Sequence, residues 1–145
     1  MLEHKTIYQN ASEVRKNWSL TIDSVVHNRP AFIQRTHDYV AMLNTKLLCE
    51  AFKDYKFHVE FDQEQDNSIT GFVRELDIVE NASSKDECIT ALVDAMKDYA
   101  FDFYQDFSYW SKAPNRQAHI PLVLKLQTST DEEIAEDMIC QVGKN

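Results

Sequence analysis

A long amphipathic helix in the second half of the chain is the feature that most constrains the fold. Ser84 and Glu87 have the spacing of a capping box, which favours the start of a helix between them. Seven residues keep one face of the following segment apolar: Ile89, Leu92, Val93, Met96, Ala100, Phe103 and Phe107. We therefore predict one helix over residues 85–112, ending before Pro114. An apolar face of that length has to be buried against another layer of the fold.

Extended segments come before this helix. Phe57, Val59 and Phe61 alternate with polar residues, which is the pattern of a strand with one buried face. A polar turn leads to a second apolar run at residues 69–73, and a third strand can follow at residues 78–79. The order predicts a mixed β-β-(β)-α arrangement with a long aromatic-rich helix.

Two short segments close the chain. Residues 120–126 alternate like a strand, but Pro121 also suits the first turn of a helix, and we favour the helix. Ser129 or Thr130 can cap a short terminal helix, in which Ile134 and Met138 lie one turn apart. We expect a polar tail after that helix.

A second amphipathic helix is predicted in the first half. Asn10 can cap it, and Asn28 and Pro30 mark its end. Five apolar residues recur at helical spacing and predict one continuous helix: Ala11, Val14, Trp18, Ile22 and Val25.

Short strands surround this first helix. One apolar run precedes it, and runs at residues 31–34 and 39–43 follow it as a hairpin, before a second helix that ends near Asp54. This β-α-β-β-α order predicts a small domain at residues 1–54. Together with the mixed domain at residues 55–145, it makes the predicted fold class α+β.

Charge is divided unevenly along the chain. Residues 1–55 carry seven Lys or Arg and six Asp or Glu, whereas residues 56–145 carry eight and eighteen. The two halves should meet different partners, because an acidic domain attracts basic surfaces and repels nucleic acid.

Several classes of site are not indicated by the sequence. Three cysteines at wide spacing, five scattered histidines and two glycines provide no disulfide framework, zinc motif or phosphate-binding loop. We find no nucleophile with a matching base, so we expect a binding protein without cofactor or metal rather than an enzyme. With no signal peptide and no segment apolar enough to span a membrane, we expect a cytoplasmic protein.

Arg15 and Lys16 stand out on physical grounds. In a helix capped by Asn10 they lie within the first two turns, where the positive end of the helix dipole disfavours cations. A phosphate bound at that end would offset this cost. The residue types alone favour the plainer interpretation, which is an ordinary solvated helix face.

Three short motifs lie in the first half, at residues 11–19 (Ala-Ser-Glu-Val-Arg-Lys-Asn-Trp-Ser), 30–35 (Pro-Ala-Phe-Ile-Gln-Arg) and 40–43 (Val-Ala-Met-Leu). In order and spacing they resemble the Phd/YefM family of bacterial antitoxins. The resemblance implies a dimerisation domain that contacts operator DNA through Arg15 and Arg35, with Lys16 on a neighbouring phosphate. The hairpin turn at residues 36–38 lacks the family's glycine and the domain is less basic, which implies weaker or toxin-assisted DNA binding.

Seven aromatic residues crowd into residues 99–110. Four of them recur at helical spacing and predict a core stripe: Tyr99, Phe103, Phe107 and Trp110. The others point elsewhere, as aromatic residues at protein interfaces do. We predict a partner-binding surface formed by Phe101, Tyr104, Tyr109 and Trp110.

The resemblance to Phd/YefM implies the antitoxin of a type II toxin-antitoxin system, and the acidic second half is compatible with it. Such an antitoxin would neutralise a basic, RNase-like toxin by direct binding and repress its own operon as a homodimer or higher oligomer on operator DNA. The second half is faintly similar to HicB-type antitoxin domains in its order of strands and helix. The alternative is a dimeric regulatory or small-molecule-binding protein without a toxin, and a small hydrolase is a third hypothesis.

Overall fold

The computed structural model describes residues 6–142, which form two compact units divided between Leu48 and Cys49. Each unit packs helices with a sheet that has both parallel and antiparallel strand pairs. The predicted α+β class is therefore confirmed. The domain boundary after residue 54 stays a prediction, because packing alone does not show where a function begins or ends.

Unit 1 contains a three-stranded sheet. Its elements in chain order are β1 (Tyr8–Asn10), α1 (Ala11–Lys16), α2 (Trp18–His27), β2 (Ala31–Arg35), β3 (Asp38–Met42) and the start of α3 (Thr45–Ala51). The strand order is β1-β2-β3, with β1 parallel to β2 and β2 antiparallel to β3. The hairpin turns through Thr36, which adopts a positive φ of 55°.

Asn17 divides the predicted first helix into α1 and α2, so the prediction of one continuous helix is wrong. Its backbone leaves the helical region at φ −112° and ψ 36°, and its side-chain Nδ2 donates to the carbonyl oxygen of Glu13 at 3.1 Å. Val14 and Val25 are still buried, but Trp18 is 53% exposed and does not belong to the core.

The core of unit 1 is small. Its buried members are Val14, Val25, Ala31 and Ile33, with Ala11 and Met42 packed against them. The strand residues among them lie on one face of the sheet. On the other face, the ring of Tyr8 contacts those of Phe32 and Tyr39 edge to face, at centroid distances of 5.9 and 4.9 Å. That second face stays open to solvent, since Tyr39 is 61% exposed.

Unit 2 contains a four-stranded sheet and the longest helix. Its elements are β4 (Phe57–Gln63), β5 (Ile69–Val73), β6 (Ile78–Ala82), α4 (Lys85–Gln105), α5 (Phe107–Lys112), a 3-10 turn (Gln117–His119), α6 (Ile120–Thr128), α7 (Asp131–Glu136) and β7 (Met138–Val142). The strand order is β6-β5-β4-β7, and only β4 and β7 are parallel neighbours. The third strand and the helix over residues 120–126 are confirmed.

Asp106 interrupts the long helix, so the prediction of one helix over residues 85–112 is wrong. Its backbone lies outside the helical region, at φ −131° and ψ 50°, and separates α4 from α5. Neither proline nor glycine marks the break, although Asp is a weak helix former because its side chain competes for backbone hydrogen bonds.

The end of the chain also differs from the prediction. The residues expected to form a polar tail after the terminal helix form β7, which pairs with β4 so that Cys140 lies opposite Val59. Met138 belongs to this strand and not to the helix of Ile134. Residues 143–145 of the predicted tail lie outside the described residues.

The apolar face of α4 lies on the sheet of unit 2, as predicted. The buried residues of this helix are Cys88, Leu92, Val93, Met96, Ala100 and Phe103. They pack with buried residues of β4 and β5, among them Phe57, Val59 and Val73. Gly71 permits the close approach, because a Cβ there would lie 2.8 Å from Cδ1 of Leu92 and 2.9 Å from Sγ of Cys88.

Candidate functional site

The elements that carry the predicted DNA contacts meet at one end of the sheet in unit 1. Because β1 and β2 are parallel and Asn10 lies opposite Gln34, α1 begins at the end of the strands where β2 finishes in Arg35. The register therefore places the start of α1, the helix that carries Arg15 and Lys16, near the strand end occupied by Arg35. Whether these side chains contact DNA stays a prediction.

The position of Arg15 and Lys16 within α1 corrects the dipole argument. Since α1 ends at Lys16, both cations lie in its last turn, where the negative end of the dipole favours them. The helix dipole therefore does not destabilise these two cations, and no bound phosphate is needed to offset it. The case for a DNA contact rests instead on exposure, position and the resemblance.

Lys16 and Arg35 each form an ion pair, but these pairs leave both cations available to bind another anion. Nζ of Lys16 lies 3.7 Å from Glu13, and Nη2 of Arg35 lies 3.4 Å from Asp38. Both pairs are largely exposed to solvent, and such pairs contribute about 0–1 kcal/mol. A phosphate could exchange with either carboxylate at little cost.

The aromatic residues of α4 and α5 divide between core and surface as predicted. Phe103 is 1% exposed, and three aromatic residues pack partly buried against the same core: Tyr99, Phe107 and Trp110. Phe101, Tyr104 and Tyr109 are 61%, 62% and 63% exposed. Trp110 thus sits on the core side, with the ring of Tyr109 edge-on to it at 5.1 Å. Partner binding by these residues stays a prediction.

A groove between α4 and α6 gathers part of this aromatic surface. It has a volume of about 510 Å³, and its apolar lining comes from Ala100, Phe101, Tyr104 and Leu126. Nε2 of Gln127 donates to the carbonyl oxygen of Ala100 at 3.1 Å and so ties α6 to α4. The contribution of α6 is absent from the sequence prediction, because no local pattern shows which helices become neighbours.

A partly buried polar cluster contacts the loop that follows α5. The Tyr99 hydroxyl lies 2.6 Å from Nδ1 of His119, and Arg116 donates to the same hydroxyl at 3.4 Å. The Arg116 guanidinium also lies over the Trp110 ring, 5.8 Å from its centroid. Burial lowers the pKa of His119, the Arg116 charge lowers it further, and the Asp77 carboxylate opposes both.

The depressed pKa of His119 predicts a pH dependence of stability. Unfolded histidine titrates at about pH 6.5, whereas folded His119 takes up its proton only at lower pH. Its contribution to stability is therefore complete above about pH 6.5 and is lost as the pH falls through the folded pKa, at up to about 1.4 kcal/mol per pH unit. Urea unfolding at several pH values should show this loss in the wild type and a shallower one in His119→Gln. Equal slopes would contradict the assignment.

The described part of the chain contains neither a cluster of metal-ligating side chains nor a helix that could span a membrane. Among residues 6–142, no three His, Cys, Asp or Glu side chains are grouped so that they could hold a metal ion. None of the helices described there is both long and apolar enough to cross a bilayer.

Comparison with known proteins identifies the family. A family model described as "Antitoxin of toxin-antitoxin, RelE / RelB, TA system" (PHD-like) matches residues 1–140. The chain belongs to this antitoxin family. No functionally curated protein matches the sequence at a significant level.

A solved structure agrees with this membership. The antitoxin part of a proposed toxin/antitoxin system from Syntrophomonas wolfei subsp. wolfei superposes on the present antitoxin with a TM-score of 0.88 and 29% sequence identity. The similarity covers 95% of this chain and all of the other. It therefore extends over both units.

Membership in the antitoxin family has two direct consequences. It indicates a regulatory protein rather than an enzyme, and it implies a toxin as partner. The finer resemblance of the first half to Phd/YefM, and of the second half to HicB-type domains, stays a prediction.

Proposed function

We propose that this antitoxin neutralises its toxin by direct binding through unit 2 and represses its own operon through unit 1. The observation that carries the proposal is the family match over residues 1–140, which includes both units. The Phd/YefM resemblance of the first half adds the division of labour between them.

The charges of the two units support different partners. Unit 1 carries six Lys or Arg and four Asp or Glu, whereas unit 2 carries nine and twenty. An acidic unit 2 favours a basic toxin, such as an RNase, because opposite charge speeds encounter and aligns the partners. Its partner-binding surface is proposed to include the exposed Phe101, Tyr104 and Tyr109 of α4 and α5, with the partly buried Trp110 at its margin.

The packing of unit 1 supports a homodimer or higher oligomer on operator DNA. Four buried residues make a small core, and the sheet face with Tyr8 and Tyr39 is open to solvent. A second copy could cover such a face. A dimer would also present two copies of Arg15 and Arg35, as needed for the two half-sites of an operator.

Exchange of Arg15 and Arg35 for alanine tests the DNA assignment. Each contact should contribute at least about 1 kcal/mol, so the double variant should bind the promoter fragment at least about 30-fold more weakly. The matched control is Lys46→Ala with Arg74→Ala, which removes the same charge elsewhere. Titration of labelled promoter DNA measures both, and equal affinities of the two double variants would overturn the assignment.

Toxin binding is tested with the product of the adjacent gene. Co-expression should rescue growth, and the two proteins should purify together as a stable complex. The Arg15→Ala, Arg35→Ala variant should keep both properties, since its exchanges lie in unit 1. If the wild-type chain neither rescues growth nor binds this product, a regulatory protein without a toxin is favoured instead.

A further inference from the structure

The groove between α4 and α6 has the character of a protein contact rather than of ordinary surface. Phe101 and Tyr104 form one wall, and both rings are more than half exposed to water. Buried Ala100 and Leu126 lie beside them. Covering exposed aromatic surface is favourable, by about 25 cal/mol for each Å² of apolar area removed from water.

A row of carboxylates borders this groove. Asp94, Asp98 and Asp102 recur every four residues along the exposed side of α4, next to Phe101 on the helix surface. Within residues 6–142, none of the three takes part in a salt bridge. The cation at the groove itself, Lys97, is paired with Asp131. An apolar channel thus runs beside three carboxylates that form no direct ion pair, although the Lys97 charge acts on Asp94.

We propose, on the basis of the proposed function, that this groove receives a basic amphipathic helix of the toxin. Apolar side chains of that helix enter between Phe101, Tyr104 and Leu126, while its Lys or Arg residues face the aspartate row. A volume of about 510 Å³ is enough for a few side chains of a helix lying across the opening.

The dimensions and charge of the groove define the partner further. Its wall on α4 extends from Lys97 to Gln105, about 12 Å along the helix axis, which equals roughly two turns of a partner helix. A second copy of this chain suits the groove less well, because it would bring another acidic unit against the aspartate row.

The experiment measures binding of the full-length antitoxin to the purified product of the adjacent toxin gene. Phe101→Ser with Tyr104→Ser should weaken binding at least about 100-fold, because central aromatic residues dominate interface energies. The control, Val79→Ser with Ile139→Ser, removes exposed apolar residues of β6 and β7 that do not line the groove and should change the affinity less than about 3-fold. All four residues are exposed, so both variants should fold with unchanged circular dichroism.

A charge variant tests the aspartate row separately. Asp94→Asn, Asp98→Asn and Asp102→Asn together should slow association and flatten its dependence on salt. The control exchanges Asp54, Asp62 and Glu64 for their amides, which removes the same charge from other exposed positions of unit 2. Equal salt dependence in the two triple variants would overturn the role of the row.

The outcomes separate this inference from the proposed function. If the wild-type antitoxin does not bind the toxin, the proposed function itself fails. If it binds and the groove variant binds equally well, only the groove assignment is overturned. Loss of self-association in the groove variant, with toxin affinity unchanged, would assign the groove to a second copy and overturn the inference. Competition by a synthetic basic amphipathic helix taken from the toxin sequence would support it.

Discussion

Exchange of Phe103 for alanine should lower the free energy of unfolding of unit 2 by about 3–5 kcal/mol. The ring is 1% exposed and contacts Tyr99 and Phe107 edge to face, at centroid distances of 6.1 and 5.3 Å. Its removal leaves a cavity in the layer between α4 and the sheet. The adjacent Tyr104 is exposed, so Tyr104→Ala should change stability by less than about 0.5 kcal/mol.

The two tryptophans make this comparison straightforward. Trp18 lies in unit 1 and Trp110 in unit 2, so a Trp18→Phe background reports the unfolding of unit 2 alone by fluorescence. Urea titrations of the two alanine variants in that background give the free energies directly. Similar losses in both variants would contradict the division of α4 into a core face and a surface face.

Exchange of Lys125 for methionine should destabilise unit 2 by about 3 kcal/mol. The Lys125 side chain is 5% exposed, and its Nζ lies 2.9 Å from Oδ2 of Asp137. It also donates to the carbonyl oxygens of Phe52 and Tyr55. Methionine fills similar space but leaves the carboxylate and both carbonyls without this donor.

A surface lysine provides the matched control for that exchange. Lys53 forms an exposed ion pair with Glu50 at 2.6 Å, so Lys53→Met should change stability far less than Lys125→Met does. Urea unfolding followed by Trp110 fluorescence measures both variants. If Lys125→Met is no more destabilising than Lys53→Met, the buried amine does not hold these elements together.

Lys125→Met should also make stability depend less on pH in the acid range. Burial by itself raises the pKa of Asp137, but hydrogen bonds from Lys56 and Lys125 outweigh it and hold the pKa below its usual value. The stability that this provides is present above the unfolded pKa of about 3.9 and is lost as the pH falls through the folded pKa. Without Lys125 the folded pKa rises towards the unfolded value, so a smaller part of the unfolding free energy should be lost on acidification. Urea unfolding at several acid pH values measures this, and an equal loss in the wild type and in Lys125→Met would contradict it.

Membership in an antitoxin family could be predicted from the sequence, although the motifs that suggested it are short. They lie in the first half of the chain, whereas the family match extends over residues 1–140. The aromatic pattern of residues 99–110 also separated Phe103 from Phe101 and Tyr104 correctly, because burial on a helix follows its period. The electrostatic argument for Arg15 and Lys16 failed, since it depended on where α1 ends.

What the sequence determined by itself was local. The Ser84 cap, the apolar face of α4 and the alternation in β4 depend on residues a few positions apart, and the structure contains all three, although the Glu87 carboxylate accepts from the Ser83 hydroxyl and does not complete the capping box. The break at Asn17 follows from one side chain bonding back to Glu13, which no periodicity reports.

Only the tertiary structure decided which distant segments meet. β7 exists as a strand because it pairs with β4, some eighty residues earlier in the chain, and the groove exists because α6 packs beside α4. Such pairings depend on the packing of the whole unit and leave no signal within a short window of sequence. For this antitoxin, the composition and motifs of the chain indicated the kind of partner, while the fold decided which surface is available to meet it.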